Sequence, residues 1–169
     1  MTTELISSAI SEARRHLEQN PQHATGEDGA VHARLRGGLV VEASDDDDHA
    51  VVTDMPPSVG GGGSGFKPGG LLRAALASCD ATLLAMEAAA RDIELSRLEV
   101  VVESSSDHRG MLGFDGAPPG PLEFRLGFRL SSPDASEEQL RSLVEYVEAH
   151  SPVGQALRAV PSEITVEIS

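Results

Sequence analysis

The chain has 169 residues and a formal net charge of −14, from 27 acidic and 13 basic side chains. This length allows one domain with a substantial core, and the charge disfavours nucleic acid or an anionic membrane surface as a partner. No apolar run approaches the ~18 residues of a membrane span. We expect no secretory signal in residues 1–20 and, with one cysteine, a reducing cytoplasm as the location.

The first predicted element is an amphipathic helix over residues 4–19. Apolar residues recur at spacings of three or four, at Ile6, Ile10, Ala13 and Leu17. The helix should end at Asn20-Pro21, because proline does not continue it. We expect it to be an additional N-terminal helix, residues 1–20, on a single domain spanning residues 1–169.

A group of short strands is predicted next. Residues 31–36 alternate between apolar side chains and the basic set His32, Arg34 and Arg36, and the pair Gly37-Gly38 predicts a turn or bulge before "LVVEA". The run "SDDDDH" is interpreted as a solvated hairpin turn before the returning strand "AVVTDM". It lacks the interleaved ligands and glycine turn of a calcium loop, and the histidines show no metal-ligand spacing, so no metal site is predicted.

The stretch "PPSVGGGGSGFKPGG" predicts a hinge-like connector. A phosphate-binding loop is rejected because Lys67 is followed by Pro68, with no adjacent Ser or Thr for a magnesium ion. Pro68 marks the start of a helix over about residues 69–92. This helix is apolar nearly all round, with its charged residues in one narrow stripe, so either other helices or a second copy of the chain must cover it.

The rest of the chain predicts strands and helices in segregated groups. Strands are expected at "RLEVVVES" and at "PLEFRLGFRLS", which alternates best of all. A helix with a Ser136–Gln139 capping box follows, then a short helix opened by Ser151 and Pro152, and a final strand "SEITVEIS". This order predicts an α+β fold with a mostly antiparallel sheet of four or five strands.

Cys79, the single cysteine, lies within the long helix. Two interpretations remain open from the residues: a small apolar filler, or a reactive thiol activated by nearby positive charge. Its own helix face carries no basic residue, so Arg34 and Arg36 are the candidate cations. Met86 lies on the same helix face as Cys79.

The segment "PGGLLRAALASCDATLLAMEAAARD", preceded by a glycine-rich loop and followed by "HSPVGQALRAV" and a final strand, resembles the OsmC/Ohr family of thiol-dependent hydroperoxide reductases. The resemblance covers about residues 31–169. It implies an α+β, OsmC-like intertwined homodimer with long central helices between antiparallel sheets. It also implies a cysteine that attacks an organic hydroperoxide and a second cysteine that resolves the sulfenic acid as a disulfide.

The resemblance is carried over residue by residue. Cys79 matches the reactive cysteine, and Arg36 or Arg34 the arginine that tunes it. Ser151 stands where the family has its resolving cysteine, so the two-cysteine cycle is absent. The family glutamate after the helix-opening proline is also absent, since Gly69 follows Pro68.

Two residues near the end of the predicted helices are further candidates for the site. Ser151 is also a good helix N-cap, and His150 is either a base for Cys79 or a partner of C-terminal helix carbonyls. Met86, Arg34, His150 and Ser151 are the candidate substrate-binding residues.

The resulting hypothesis is a one-cysteine hydroperoxide reductase of the oxidative stress response. Its expected partners are a small hydroperoxide or apolar ligand, an external thiol reductant and a second copy of the chain, with no cofactor. The alternative is a non-catalytic member of the family, either a small-molecule-binding module or a structural protein.

Overall fold

The computed structural model describes residues 3–168. They form two compact units, Asn20–Ala74 and the remainder of the described chain. Residues 1, 2 and 169 of the predicted domain lie outside the described range.

The described residues form an α+β fold, as the sequence predicts. Its helices are α1 (Thr3–Gln19), α2 (Pro68–Ala90), α3 (His108–Met111), α4 (Glu137–His150) and α5 (Pro152–Ala156). Its strands are β1 (His32–Gly37), β2 (Val40–Ser44), β3 (Ala50–Thr53), β4 (Arg97–Ser106), β5 (Pro121–Ser131) and β6 (Ser162–Ile168). Single 3-10 turns occupy Pro21–His23 and Pro57–Val59.

The smaller unit contains an antiparallel sheet in the order β1-β2-β3. Gly38, with φ 57°, forms the β1–β2 turn in a left-handed conformation that residues with a side chain rarely adopt. The acidic run forms the β2–β3 turn, as predicted. Every residue of β1 is exposed in the single chain, so this strand has no buried face.

The glycine-rich segment that follows β3 is more ordered than the hinge-like connector that the sequence predicts. The carboxylate of Asp54 accepts hydrogen bonds from the backbone N–H groups of Met55, Gly62 and Ser64, and from the Ser64 hydroxyl, at 2.7–3.0 Å. Hydrogen bonding from Ser64 is the largest of the effects that lower the pKa of Asp54. Gly61 permits this fold, since a Cβ there would lie 1.8 Å from the Met55 carbonyl oxygen.

The larger unit contains a second three-stranded sheet in the order β4-β5-β6. The β4–β5 pair is antiparallel, but β5 and β6 are parallel because α4 and α5 carry the chain back across the sheet. The expectation of one sheet of four or five strands is wrong, since the described residues form two sheets of three strands, but most of the strand pairs are antiparallel, as predicted.

The core of the larger unit lies between the β4-β5-β6 sheet and the helices. Every second residue of β5 from Phe124 to Leu130 is buried, as the alternation predicts. The facing stripe of α4 is buried too, at Leu140, Leu143, Val144 and Val147. Burying each such side chain contributes about 1.5–3 kcal/mol. The predicted capping box starts α4, with Gln139 N–H donating to the Ser136 hydroxyl at 3.3 Å.

The two acids in the charged stripe of α2 are buried. Asp80 and Glu87 are 2% and 8% exposed, next to the fully buried Leu84. Most other residues of α2 are only partly buried, so a single chain does not cover the helix all round. Among residues 3–168, α2 is the one helix long and apolar enough to cross a membrane by length and composition. A single such helix is weak evidence for a span, because the core helix of a globular protein meets the same criterion.

Candidate functional site around Cys79

Cys79 lies near the middle of α2 and is partly buried. Its Sγ lies 3.5 Å from the Oγ of Ser151, and either atom could donate the hydrogen bond. The two positions are 72 residues apart in sequence, so this contact is tertiary. The Cys79 thiol is therefore neither fully buried in the core nor fully exposed to solvent.

Ser151 is the N-cap of α5, as the sequence predicts. Its Oγ accepts a hydrogen bond from the backbone N–H of Gly154 at 3.0 Å, and Pro152 occupies the first turn, where no N–H is needed. Gly154 allows the tight approach, since a Cβ there would lie 3.1 Å from this oxygen. Ser151 is only 2% exposed, so the cap also fixes the hydroxyl against Cys79.

Asp80, the residue after Cys79, completes the cluster and was not among the predicted site residues. Burial raises the pKa of the Asp80 carboxyl, and hydrogen bonding from the Ser151 side chain opposes this with a smaller effect. Among the buried side-chain oxygen and nitrogen atoms of residues 3–168, Asp80 Oδ1 alone has no hydrogen-bond partner. The sequence signal that could have identified Asp80 is its position as an acid in the charged stripe of an otherwise apolar helix.

The two candidate arginines lie on β1, in the smaller unit. Arg36 pairs with Glu42 on the neighbouring strand, and Arg34 donates a long hydrogen bond of 3.5 Å to the Ser44 hydroxyl. In these contacts both side chains lie against residues of the neighbouring strand β2. An approach of either guanidinium to Cys79 stays a prediction.

Met86 is 40% exposed and lies in an open apolar groove between α1 and α2. The groove has a volume of about 580 Å³ and is lined by Leu5, Ile6, Ala9, Ile10, Ala81, Thr82, Ala85 and Met86. Thr82 is the only lining residue with a polar side chain. The groove is therefore an apolar surface that lies between these two helices and is not closed by the single chain.

His150 ends α4 and is exposed. Its Nδ1 lies 2.8 Å from the carbonyl oxygen of Tyr146, and its ring stacks on the Tyr146 ring with the centroids 4.1 Å apart. This contact is the interaction with C-terminal helix carbonyls that the sequence predicts as the alternative to a role as a base for Cys79. A role of His150 in substrate binding stays a prediction.

A second polar cluster surrounds Glu87 at the other end of the same helix. The carboxylate accepts from Arg91 Nε at 2.8 Å and from Arg14 of α1 at 3.2 Å. Arg91 also donates to the Ser142 hydroxyl at 2.8 Å. Sequence reasoning did not find this network because it joins three separate helices.

The β2–β3 turn brings Asp45, Asp47 and His49 together, with one potential ligand atom of each within 4.8 Å of the others. Asp45 already accepts from the backbone N–H groups of Asp47 and His49 and contacts the His49 ring. The His49 contact is the largest of the effects that lower the pKa of Asp45. These bonds account for an ordered turn without an ion, and exposed acids commonly gather in this way.

A family model described as "OsmC-like protein" matches residues 61–167, which is more than half of the chain. An OsmC-like protein from Mycoplasma pneumoniae superposes with a TM-score of 0.69 at 22% identity, over 86% of this chain and 98% of the other. An organic hydroperoxide resistance protein OsmC from Legionella pneumophila gives 0.60 at 18% identity, over 85% and 99%.

The organic hydroperoxide resistance protein OhrB of Bacillus subtilis gives a TM-score of 0.56 at 23% identity, over 85% and 98% of the two chains. No significant match was found among curated proteins. At these identities the structural likeness establishes the fold. The matched segment of the family model includes α2 with Cys79, β4, β5, all but the last residue of β6, and Ser151.

Proposed function

Because the chain belongs to the OsmC-like protein family, we propose that it is a one-cysteine thiol peroxidase that reduces organic hydroperoxides. The observation that carries the proposal is the partly accessible Cys79 on α2, within the matched segment and 3.5 Å from Ser151. Relatives with this fold are named for organic hydroperoxide resistance, which supports the substrate class.

The oxidative half-reaction begins with the Cys79 thiolate. Its sulfur attacks one oxygen of the hydroperoxide, so an S–O bond forms and the O–O bond breaks. The sulfur is oxidised to sulfenic acid, the peroxide is reduced, and the departing alkoxide takes a proton to leave as an alcohol. The Ser151 hydroxyl lies 3.5 Å from the sulfur, and it can donate its one proton to the thiolate when it does not donate it to Asp80.

The reductive half-reaction needs thiols from outside the chain. The 169-residue sequence has one cysteine, so the sulfenic acid has no resolving partner in its own chain. A first external thiol attacks the oxidised sulfur, an S–S bond forms and water leaves. A second external thiol then displaces Cys79 and forms the external disulfide. We expect turnover to be slow and open to overoxidation at high peroxide concentration.

The proposal includes an arginine that lowers the pKa of the Cys79 thiol. Arg36, or failing that Arg34, is the candidate, since both belong to the basic set of β1. Positive charge beside a thiol favours the thiolate. The test compares alkylation rates of Cys79 across pH in the native chain, Arg36→Gln and Arg34→Gln. An unchanged pH profile in both variants would remove the arginine from the mechanism.

The proposal also includes a homodimer, with a second copy covering the groove between α1 and α2. The support is the open apolar groove around Met86 and the incomplete burial of α2 in one chain. Light scattering after size exclusion should report twice the chain mass. Met86→Asp should shift the protein towards monomer, whereas the exposed Met111→Asp, outside this groove, should not.

The activity itself is tested by stopped-flow measurement with cumene hydroperoxide, followed by mass spectrometry of Cys79. We expect one oxygen to be added to Cys79 and slow turnover with a monothiol reductant. Cys79→Ser should abolish both. Fast turnover with a monothiol would show that the second cysteine is dispensable, and an unmodified Cys79 under excess hydroperoxide would reject the peroxidase.

Ser151→Cys provides the sharpest comparison. The contact of 3.5 Å between Sγ and Oγ supports the expectation that a cysteine at position 151 could bond to Cys79. The variant should form an internal disulfide after one equivalent of hydroperoxide and should turn over faster with a dithiol. Ser142→Cys, which contacts Arg91 rather than Cys79, is the matched control and should form no internal disulfide.

A non-catalytic small-molecule-binding protein is the alternative. It is favoured by the absence of a second cysteine and by the cap role of Ser151, which accounts for that residue without any chemistry. In this case Cys79 would line a ligand site and stay reduced. Failure of hydroperoxide to oxidise Cys79, together with retained ligand binding, would favour this alternative.

A further inference from the structure

A second cavity lies inside the larger unit, between α2, the β4-β5-β6 sheet and the segment that follows α4. Its volume is about 330 Å³, at the lower end of the range for small-molecule sites. Its walls are mainly apolar, with Phe124 and Phe128 from β5 and Leu76 from α2. The cavity is distinct from the groove that contains Met86, since the two share no lining residue.

Asp80 lines this cavity with a carboxylate that the protein satisfies only in part, since the Ser151 side chain hydrogen-bonds to it but its Oδ1 has no partner. The residue is 2% exposed, and its Oδ1 has no hydrogen-bond partner. A buried carboxylate oxygen without a partner is disfavoured, and buried polar groups of native proteins are nearly always hydrogen-bonded. By contrast, Glu87 on the same helix is paired with two arginines. A ligand in the cavity would supply the donor that Asp80 Oδ1 lacks.

The charges around the cavity favour a cationic donor. Glu148 and Arg158 are the other charged residues in its lining, so two acids face one base. Burial raises the pKa of Glu148, with a smaller contribution from Glu145. An ammonium group offers three donors and a full positive charge, and it would complement both carboxylates.

We propose that this cavity binds a small primary amine with an apolar body, whose ammonium group donates to Asp80 Oδ1. The phenylalanine rings and Leu76 contact the apolar body of the ligand, and the Asp80 carboxylate favours a ligand with a positive charge. The inference goes beyond the peroxidase proposal and does not depend on it, because no step involves the Cys79 thiol.

Binding of the amine should be linked to ionisation of Asp80. The ammonium group prefers the carboxylate form of Asp80, whose proton is held more tightly than usual in the empty site. Affinity should therefore fall as the pH decreases through the raised pKa of Asp80. Glu148 also lines the cavity, and burial raises its pKa, so its ionisation should act in the same direction. Arg158 is the other charged residue of the lining.

The probe is benzylamine, titrated into the full-length protein and followed by two-dimensional amide NMR spectra. Benzyl alcohol is the matched neutral ligand. We expect benzylamine to bind at least about tenfold more tightly near neutral pH, as a charge-assisted hydrogen bond implies. The shifted amides should include those of Leu76, Asp80 and Gly154. Equal affinities for the two probes, or no saturable binding of benzylamine, would overturn the proposal.

Asp80→Asn should remove the preference for the amine and leave the weak binding of the alcohol. Glu87→Gln is the matched control, because it neutralises a buried acid of the same helix outside the cavity, and it should keep the preference. Arg158→Ala should strengthen amine binding by removing the only cation of the cavity lining. A retained preference in Asp80→Asn would reject Asp80 as the anchor.

If Asp80→Asn does not fold, the native protein alone decides the question. The preference for benzylamine over benzyl alcohol should decrease as the pH is lowered from about 8 towards 3.8, the ordinary value of this carboxyl, because the free amine stays protonated while Asp80 gains a proton through its raised pKa. Glu148→Gln should keep most of this pH dependence. A preference that stays constant over this whole pH range would overturn the proposal.

Discussion

Asp80 and Glu87 lie about two turns apart on the same buried stripe of α2, yet their surroundings differ. Glu87 accepts hydrogen bonds from Arg14 and Arg91, whereas Asp80 Oδ1 has no partner and lines a cavity. Burial raises the pKa of Asp80. The difference indicates that one end of this stripe stabilises the fold, while the other retains an unsatisfied group suited to a ligand.

The largest expected change in stability follows from breaking the Glu87 cluster. Glu87→Gln removes the charge that lies between two guanidinium groups and should lower the free energy of unfolding by about 1.5–3 kcal/mol. Urea denaturation at neutral pH measures this value. Glu94→Gln, at an exposed position just beyond α2, is the control and should have little effect. A loss no larger than that of the control would mean that the cluster contributes little.

Asp80→Asn should change the free energy of unfolding in the opposite direction. Replacing an unsatisfied carboxylate with a neutral side chain of the same shape should raise the free energy of unfolding by about 1 kcal/mol near neutral pH. The same urea experiment without added amine measures it. A destabilisation comparable to that of Glu87→Gln would show that Asp80 has a stabilising partner in solution.

The effect of Asp80→Asn should depend on pH. The pKa of Asp80 is raised from 3.8 in the folded chain, so the folded state holds this proton more tightly than the unfolded state. Native stability relative to the variant should therefore be highest below 3.8 and should decrease as the pH rises through the folded pKa. Unfolding curves of both proteins between acidic and neutral pH test this. A difference that is constant with pH would contradict the raised pKa.

The smallest expected effect is that of Arg14→Ala. The Arg14 side chain is 56% exposed, so its pair with Glu87 should contribute less than about 1 kcal/mol. A double-mutant cycle with Glu87→Gln separates the pair energy from other losses. A coupling energy well above this value would indicate that α1 is held to α2 mainly through this ion pair.

The sequence was most informative where structure follows from local periodicity. The alternation of Phe124 to Leu130 identified both the strand and its buried face, and the stripe from Leu140 to Val147 did so for α4. The capping box at Ser136 was likewise predicted, because its partners are three residues apart. The family was recognised from the segment around Cys79, and the match over residues 61–167 confirms it.

The candidate site was less accessible to sequence reasoning. Cys79 and Ser151 were both predicted, and their contact is a tertiary result. Asp80 was assigned only to a charged stripe, and nothing in the local pattern indicated that this stripe is buried. Because α2 is apolar on nearly all sides, its sequence did not indicate which face packs against the sheet.

The sequence by itself determined the elements, the α+β class and the family, since period, caps and turns depend on residues close together in the chain. The tertiary structure alone decided the parallel pairing of β5 with β6, the orientation of α2 and the different surroundings of Asp80 and Glu87. These features depend on partners contributed by distant segments, such as Arg14 of α1 and Ser151 before α5. Burial and hydrogen bonding act on whatever lies nearby in space, and that proximity is established only when the chain has folded.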